Sequence, residues 1–199
     1  MYAVGHFALG YLISKVASKS LNVKINLPLI FLASVLPDID LLIPGLYHRG
    51  PLHSIIVYCL LFLPIFLFYR KKAAPYFLAV IQHLIIGDYI TGGTQLLWPV
   101  TNAMYTLDIG TTSLTNIALE WTLFITSIFI MFKTNDVLPI LKPHPSNLIL
   151  LISVLTVLLP TVISFPVYVA IALLIPHLVY LTIFGFSILI DLKTILKKT

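Results

Sequence analysis

The chain has 199 residues, of which 59% are hydrophobic and 10% charged, and it carries a formal net charge of +5. Soluble domains usually hold about 25% charged residues, so an ordinary soluble domain is excluded and a single all-α, polytopic membrane helix bundle is expected. The basic excess does not mark a nucleic-acid partner: no basic stripe with interleaved aromatics is present, and most Lys and Arg fall between apolar stretches.

In chain order the apolar pattern predicts seven segments, at 2–18, 27–46, 52–69, 73–91, 115–132, 147–165 and 167–190. A perpendicular span needs about 20 residues, so the first segment is short. Lys15, Lys19 and Lys24 follow segment 1, and Arg70, Lys71 and Lys72 follow segment 3. Lys133 and Lys142 follow segment 5, and Lys193, Lys197 and Lys198 follow segment 7. Eleven of the twelve basic residues therefore share one side, which the positive-inside rule makes cytoplasmic; Arg49 alone is opposite. The N-terminus is then outside and the C-terminus inside. No basic residue precedes the apolar stretch at Tyr2, unlike a standard signal peptide. The single domain, 1–199, changes composition near residue 115, from a part rich in Gly, His and Asp (1–114) to apolar scaffold segments (115–199). The stretch Thr91–Thr115 is long for a structureless loop. With Trp98 and Tyr105 it is expected to lie partly in the interface and to be able to cover a site below. The lone Cys59 excludes an intrachain disulfide and is expected in the core or facing lipid.

Seven ionisable side chains lie in or beside the first four segments: His6, Asp38, Asp40, His48, His53, His83 and Asp88. Charge in a bilayer core is expensive and normally faces a bundle interior with partners. The drawn topology sets all seven at one depth near the outer face, and imidazoles with carboxylates suit a divalent metal. In Leu36-Pro37-Asp38-Ile39-Asp40 the two carboxylates point about 200° apart on an ideal helix. Either Pro37 breaks the helix so that both face one site, or one binds a metal while the other orients a ligand His. In His48-Arg49-Gly50-Pro51-Leu52-His53-Ser54 the Gly-Pro turn folds His48 toward His53, and Arg49 beside the start of segment 3 suits an anion. His83 and Asp88 are five apart, about 140° around an ideal helix, so facing one another requires a distortion, for which Gly87 gives room. His6 lies in Gly5-His6-Phe7-Ala8-Leu9-Gly10, whose small residues allow close packing. Outside this set, His144 is expected in solvent and His177 as a hydrogen-bonded core residue. Glu120 is expected either beside the site or at the interface.

These stretches together resemble the family of inner-membrane proteins described as membrane-bound metal-dependent hydrolases, the YdjM-like proteins. The likeness runs from the His6 segment through the Asp38/Asp40 motif, residues 48–54 and His83–Thr91 to Leu96-Leu97-Trp98-Pro99, about residues 1–100. Leu52 stands where the pattern has Thr, and the His83–Asp88 gap is one residue longer than usual. The resemblance implies a divalent metal and hydrolysis. The expected ligands are His6, His48, His53, His83 and Asp88, holding one or two ions, with zinc favoured over Mn or Mg. Asp38 or Asp40 would act as general base or further ligand, and Arg49 would hold developing negative charge. The expected surroundings are membrane lipids, and the depth of the site suggests a lipid or lipid-linked (phospho)ester as substrate. Two alternatives stand beside this reading. One is ion or small-solute transport, against which the scarcity of polar residues in the inner half argues. The other is a non-catalytic protein whose metal only holds helices together.

Overall fold

The computed structural model describes residues 1–159 and 169–197. These residues are helical, with no strand among them and one isolated bridge, Thr94 to Tyr105. Helix α1 (Ala3–Leu21) is the central element and packs on α2 (Leu27–Ser34), α4 (Ala74–Gln82), α6 (Leu114–Lys133) and the last helix, α9 (Leu174–Leu196). Its seam is aromatic: Phe7 and Phe31 both meet the ring of Phe184, at 5.2 and 5.0 Å between centroids, and Tyr180 and Phe124 extend the cluster. A second core joins α2 and α4 to α3 (Ile55–Tyr69) through Ile30, Tyr58, Phe62 and Leu84. Short helices α5 (Tyr89–Thr91), α7 (Val137–Ile140) and α8 (Leu150–Ser153) complete the described elements.

Two of these helices, Leu114–Lys133 and Ile171–Leu196, are long and apolar enough to cross a membrane. The predicted segment 27–46 is not one rod. Pro37 has no N–H to continue the α-helical ladder, and α2 stops at Ser34, giving way to a 3-10 helix over Leu36–Leu42. The predicted segment 73–91 is continuously helical but changes pitch, running from α4 through a π-helical turn (His83–Asp88) into α5. The boundary predicted between segments 6 and 7, at 165–167, lies outside the described residues. The long stretch 91–115 is tied down by backbone bonds to its neighbours. Gln95 N–H donates to the Arg49 carbonyl at 3.2 Å and Leu107 N–H to that of Tyr89 at 2.7 Å. Cys59 is exposed on α3.

Candidate metal centre

Pro37 shapes the centre at its first step. In an α-helix the Ser34 carbonyl would accept the Asp38 N–H; in the 3-10 turn that N–H goes to the Val35 carbonyl instead, at 3.1 Å. The freed Ser34 carbonyl accepts a hydrogen bond from His83 Nδ1 at 2.8 Å. A carbonyl can only accept, so Nδ1 carries the proton and a neutral ring directs its Nε2 lone pair inward. Nε2 then lies 3.3 Å from Asp38 Oδ1 and 3.4 Å from Asp88 Oδ2.

Asp88 reaches that place because of the π turn. Bonds of i→i+5 type stack residues five apart, so the spacing that separates His83 and Asp88 on an α-helix aligns them here. Gly87 is required within this turn: a Cβ there would lie 2.3 Å from His6 Cε1. The His6 ring stacks on His83 with centroids 3.7 Å apart, and its Nε2 is 3.6 Å from Asp88 Oδ1. Oδ1 also accepts from Arg49 Nη2 at 3.4 Å and lies 3.5 Å from the Met1 nitrogen. Asp88 therefore divides its oxygens, one toward these cationic or imidazole neighbours and the other toward His53 and His83.

His53 comes from the 3-10 turn Pro51–His53. Ser54 holds that turn by capping α3, accepting from Ile56 N–H at 3.2 Å while its hydroxyl reaches the Trp98 carbonyl at 2.6 Å. His53 Nε2 is 3.2 Å from Asp88 Oδ2 and 3.5 Å from Asp38 Oδ1, and its Nδ1 is 3.3 Å from Asp40 Oδ2. Asp38 and Asp40 thus flank one imidazole from opposite sides, Asp38 in the group with His83 and Asp88, and Asp40 behind the ring. Asp40 also accepts from His48 Nδ1 at 2.9 Å and from the Arg49 N–H at 3.1 Å.

Among the described residues two groups have ligand atoms close enough to share an ion: Asp38, His53, His83 and Asp88, all buried, and Asp40, His48 and His53. The structure thus brings Asp38 in with three of the expected ligands, sets His48 with Asp40 at the mouth, and leaves His6 against Asp88 outside both groups. Whether a metal fits can be judged from the first group. His53 Nε2, His83 Nε2 and Asp88 Oδ2 are buried and have no hydrogen-bond partner, an arrangement that is expensive unless something occupies the space between them. Four of the six separations within this group are 3.2–3.5 Å, close to the edge length of about 3.3–3.6 Å that metal–ligand bonds of about 2.0–2.2 Å give a tetrahedral site. An octahedral magnesium site would need edges of about 2.8–3.0 Å. The donor set therefore fits a divalent ion.

A family model described as YdjM inner membrane protein matches residues 1–172. The chain belongs to the YdjM inner membrane protein family. No curated protein and no solved structure matches it. The family match extends well beyond the first hundred residues that carry the motifs, and takes in α6, α7 and α8, which the sequence marks only as scaffold.

Part of that scaffold supports the centre. Glu120 is buried and takes hydrogen bonds from Tyr2 N–H (2.8 Å), Gly5 N–H (3.0 Å) and Asn116 Nδ2 (2.9 Å). It fills the unsatisfied donors at the start of α1 and so sets the position of His6. Sequence reasoning missed the role of the Ser34 carbonyl, and the signal that exposes it is Pro37 three residues later. His177 is a hydrogen-bonded core residue, with Nε2 2.9 Å from the Leu158 carbonyl. His144 is exposed, and its Nδ1 pairs with Ser146 Oγ at 2.6 Å.

Proposed function

We propose that this protein is a membrane-embedded, metal-dependent hydrolase of seven segments. In this reading the N-terminus is outside, the site opens near the extracytoplasmic face, and the substrate is a lipid or lipid-linked phosphoester. The observation that carries it is the convergence of four buried ligand atoms, three of them with no hydrogen-bond partner. Asp38, His53, His83 and Asp88 would hold the ion, with zinc suited to a set of two imidazoles and two carboxylates. A divalent ion in such a set supplies Lewis acidity and an activated water. The chain's own residues do the rest. The Ser34 carbonyl and Asp40 hold the two imidazoles in orientation. His48 and Arg49, with side chains 35% and 20% exposed, line the way in. Asp40 engages the His48 ring at Nδ1, which leaves Nε2 available for proton transfer. Arg49 offers a planar, permanently charged donor suited to a phosphate.

One observation favours a second reading, in which the metal only ties helices together. The group offers four protein ligand atoms, the full number of a closed structural zinc site, whereas catalytic zinc keeps a position open. The test is metal analysis of purified wild type beside His83→Ala and Asp88→Ala. About one ion per chain is expected in wild type and little in either variant; negligible metal in wild type rejects both readings. Release of phosphate or headgroup from phospholipid vesicles by the loaded wild type, lost in Arg49→Ala with metal retained, supports hydrolysis. Full metal occupancy with no release from any vesicle favours the structural reading.

A further inference from the structure

Helices α2 and α3 both pack on α4, and beside the core they share, an apolar groove of about 460 Å³ lies between them. This is within the range of small-ligand pockets, about 300–1,000 Å³. Leu29, Leu32 and Leu36 form one wall and Phe62 and Ile65 the other. The eight residues of α2 give a wall of about 12 Å, close to the depth of one leaflet's hydrocarbon, about 15 Å. The groove is uniform except at one end, where Lys24 and Lys72 enter it from two different connections, with Tyr69 and Tyr76 beside them.

The position of Lys24 is fixed by its loop. Asn26, two residues on, donates its N–H to the Tyr76 hydroxyl at 2.8 Å and accepts from Leu29 N–H at 3.2 Å, locking the loop to α4 and to the start of α2. Lys72 sits in the 3-10 turn Arg70–Ala73, anchored by the buried Ala73. Lys15 is paired with Asp136, but neither Lys24 nor Lys72 has a carboxylate partner among the described residues. Two unpaired ammoniums therefore stand at the mouth of an apolar slot, on the side that the positive-inside pattern makes cytoplasmic.

We infer that this groove is a binding site for an anionic phospholipid of the inner leaflet, its phosphate between Lys24 and Lys72 and one acyl chain along α2 toward Leu36. Basic pockets between helices on the cytoplasmic side have this chemistry. The site is separate from the metal centre, and it stands whether or not the protein is a hydrolase.

The test is native mass spectrometry of the detergent-purified protein titrated with phosphatidylglycerol or with phosphatidylcholine of the same chains. Wild type is expected to retain phosphatidylglycerol preferentially. Lys24→Ala with Lys72→Ala should weaken that binding about twenty-fivefold, about fivefold per lysine, while Lys24→Arg with Lys72→Arg, eluting as the same single species, should retain it. Arg70→Ala with Lys71→Ala removes two neighbouring charges that do not line the groove, and should leave binding within about twofold. Glycerol phosphate, which has the anion without the chains, should not displace the bound lipid. Equal binding of the two lipids, equal loss in both alanine pairs, or displacement by glycerol phosphate would overturn the inference.

Discussion

His83 concentrates the constraints on the centre, because one ring nitrogen is committed to the Ser34 carbonyl, the other faces two carboxylates, and a ring face is covered by His6. That stacking gives position 87 a role beyond its own residue. A methyl at Gly87 meets His6 Cε1 at 2.3 Å and Nδ1 at 2.6 Å, and the His6 ring cannot yield without pressing on His83. Gly87→Ala is therefore expected to destabilise the fold by about 1–3 kcal/mol, as overpacking does, and to lower metal content. Gly110→Ala, where nothing lies within 4 Å, should stay within about 0.5 kcal/mol. Thermal melts and metal content of the two variants check this; equal behaviour would show that His6 does not press on the centre.

At the scale of elements, the centre depends on two departures from α-helical pitch, and they differ in how far sequence reveals them. The 3-10 turn at Leu36–Leu42 is legible, because the missing N–H of Pro37 is a local fact. Which carboxylate faces the ligand group is not legible, since it depends on where His53 enters from another element. The π turn shows in sequence only as a pair of residues at an unfavourable angle. The resemblance implies one residue more here than in the family pattern, and this predicts the result of removing it. Deleting Ile85, 43% exposed on the outer face of the turn, leaves the His and Asp four apart, about 40° around an α-helix. The deletion should keep metal binding and helix content. Inserting an alanine after Ile85 should abolish metal binding: residues six apart face different sides on an α- or π-helix, and the 3-10 pitch that would align them sets them about 12 Å apart. Complete metal loss in the deletion variant would mean that the π turn is indispensable to the centre rather than an accommodated insertion.

For the whole molecule, alternating basic loops indicated that seven scattered side chains converge, but not what fixes them from a distance. Glu120 bonds to Gly5 from 115 residues away, and no local pattern distinguishes that carboxylate from an interfacial one. Glu120→Ala would leave buried donors unmatched at about 1–3 kcal/mol each, and a substantially lowered melting temperature is expected; an unchanged melt would remove Glu120 from the support of α1. At its other end α1 is held by a separate polar knot, in which Tyr11 (2.7 Å), Thr134 (2.5 Å) and Lys15 all donate to Asp136 Oδ2. Partial burial pushes the Asp136 carboxyl up, but the hydrogen bonds from Lys15, Thr134 and Tyr11 outweigh it and hold its pKa below the ordinary value of 3.8. A carboxylate whose folded pKa is depressed contributes stability that is fully present above 3.8 and is lost as pH falls through the lower folded value. The melting temperature of wild type should therefore exceed that of Asp136→Asn at neutral pH, and the gap should close below 3.8. Comparing the two proteins across pH cancels the titration of the carboxylates they share. A gap that stays constant from neutral to acid would show that Asp136 holds α1 by shape and neutral hydrogen bonding rather than by its charge.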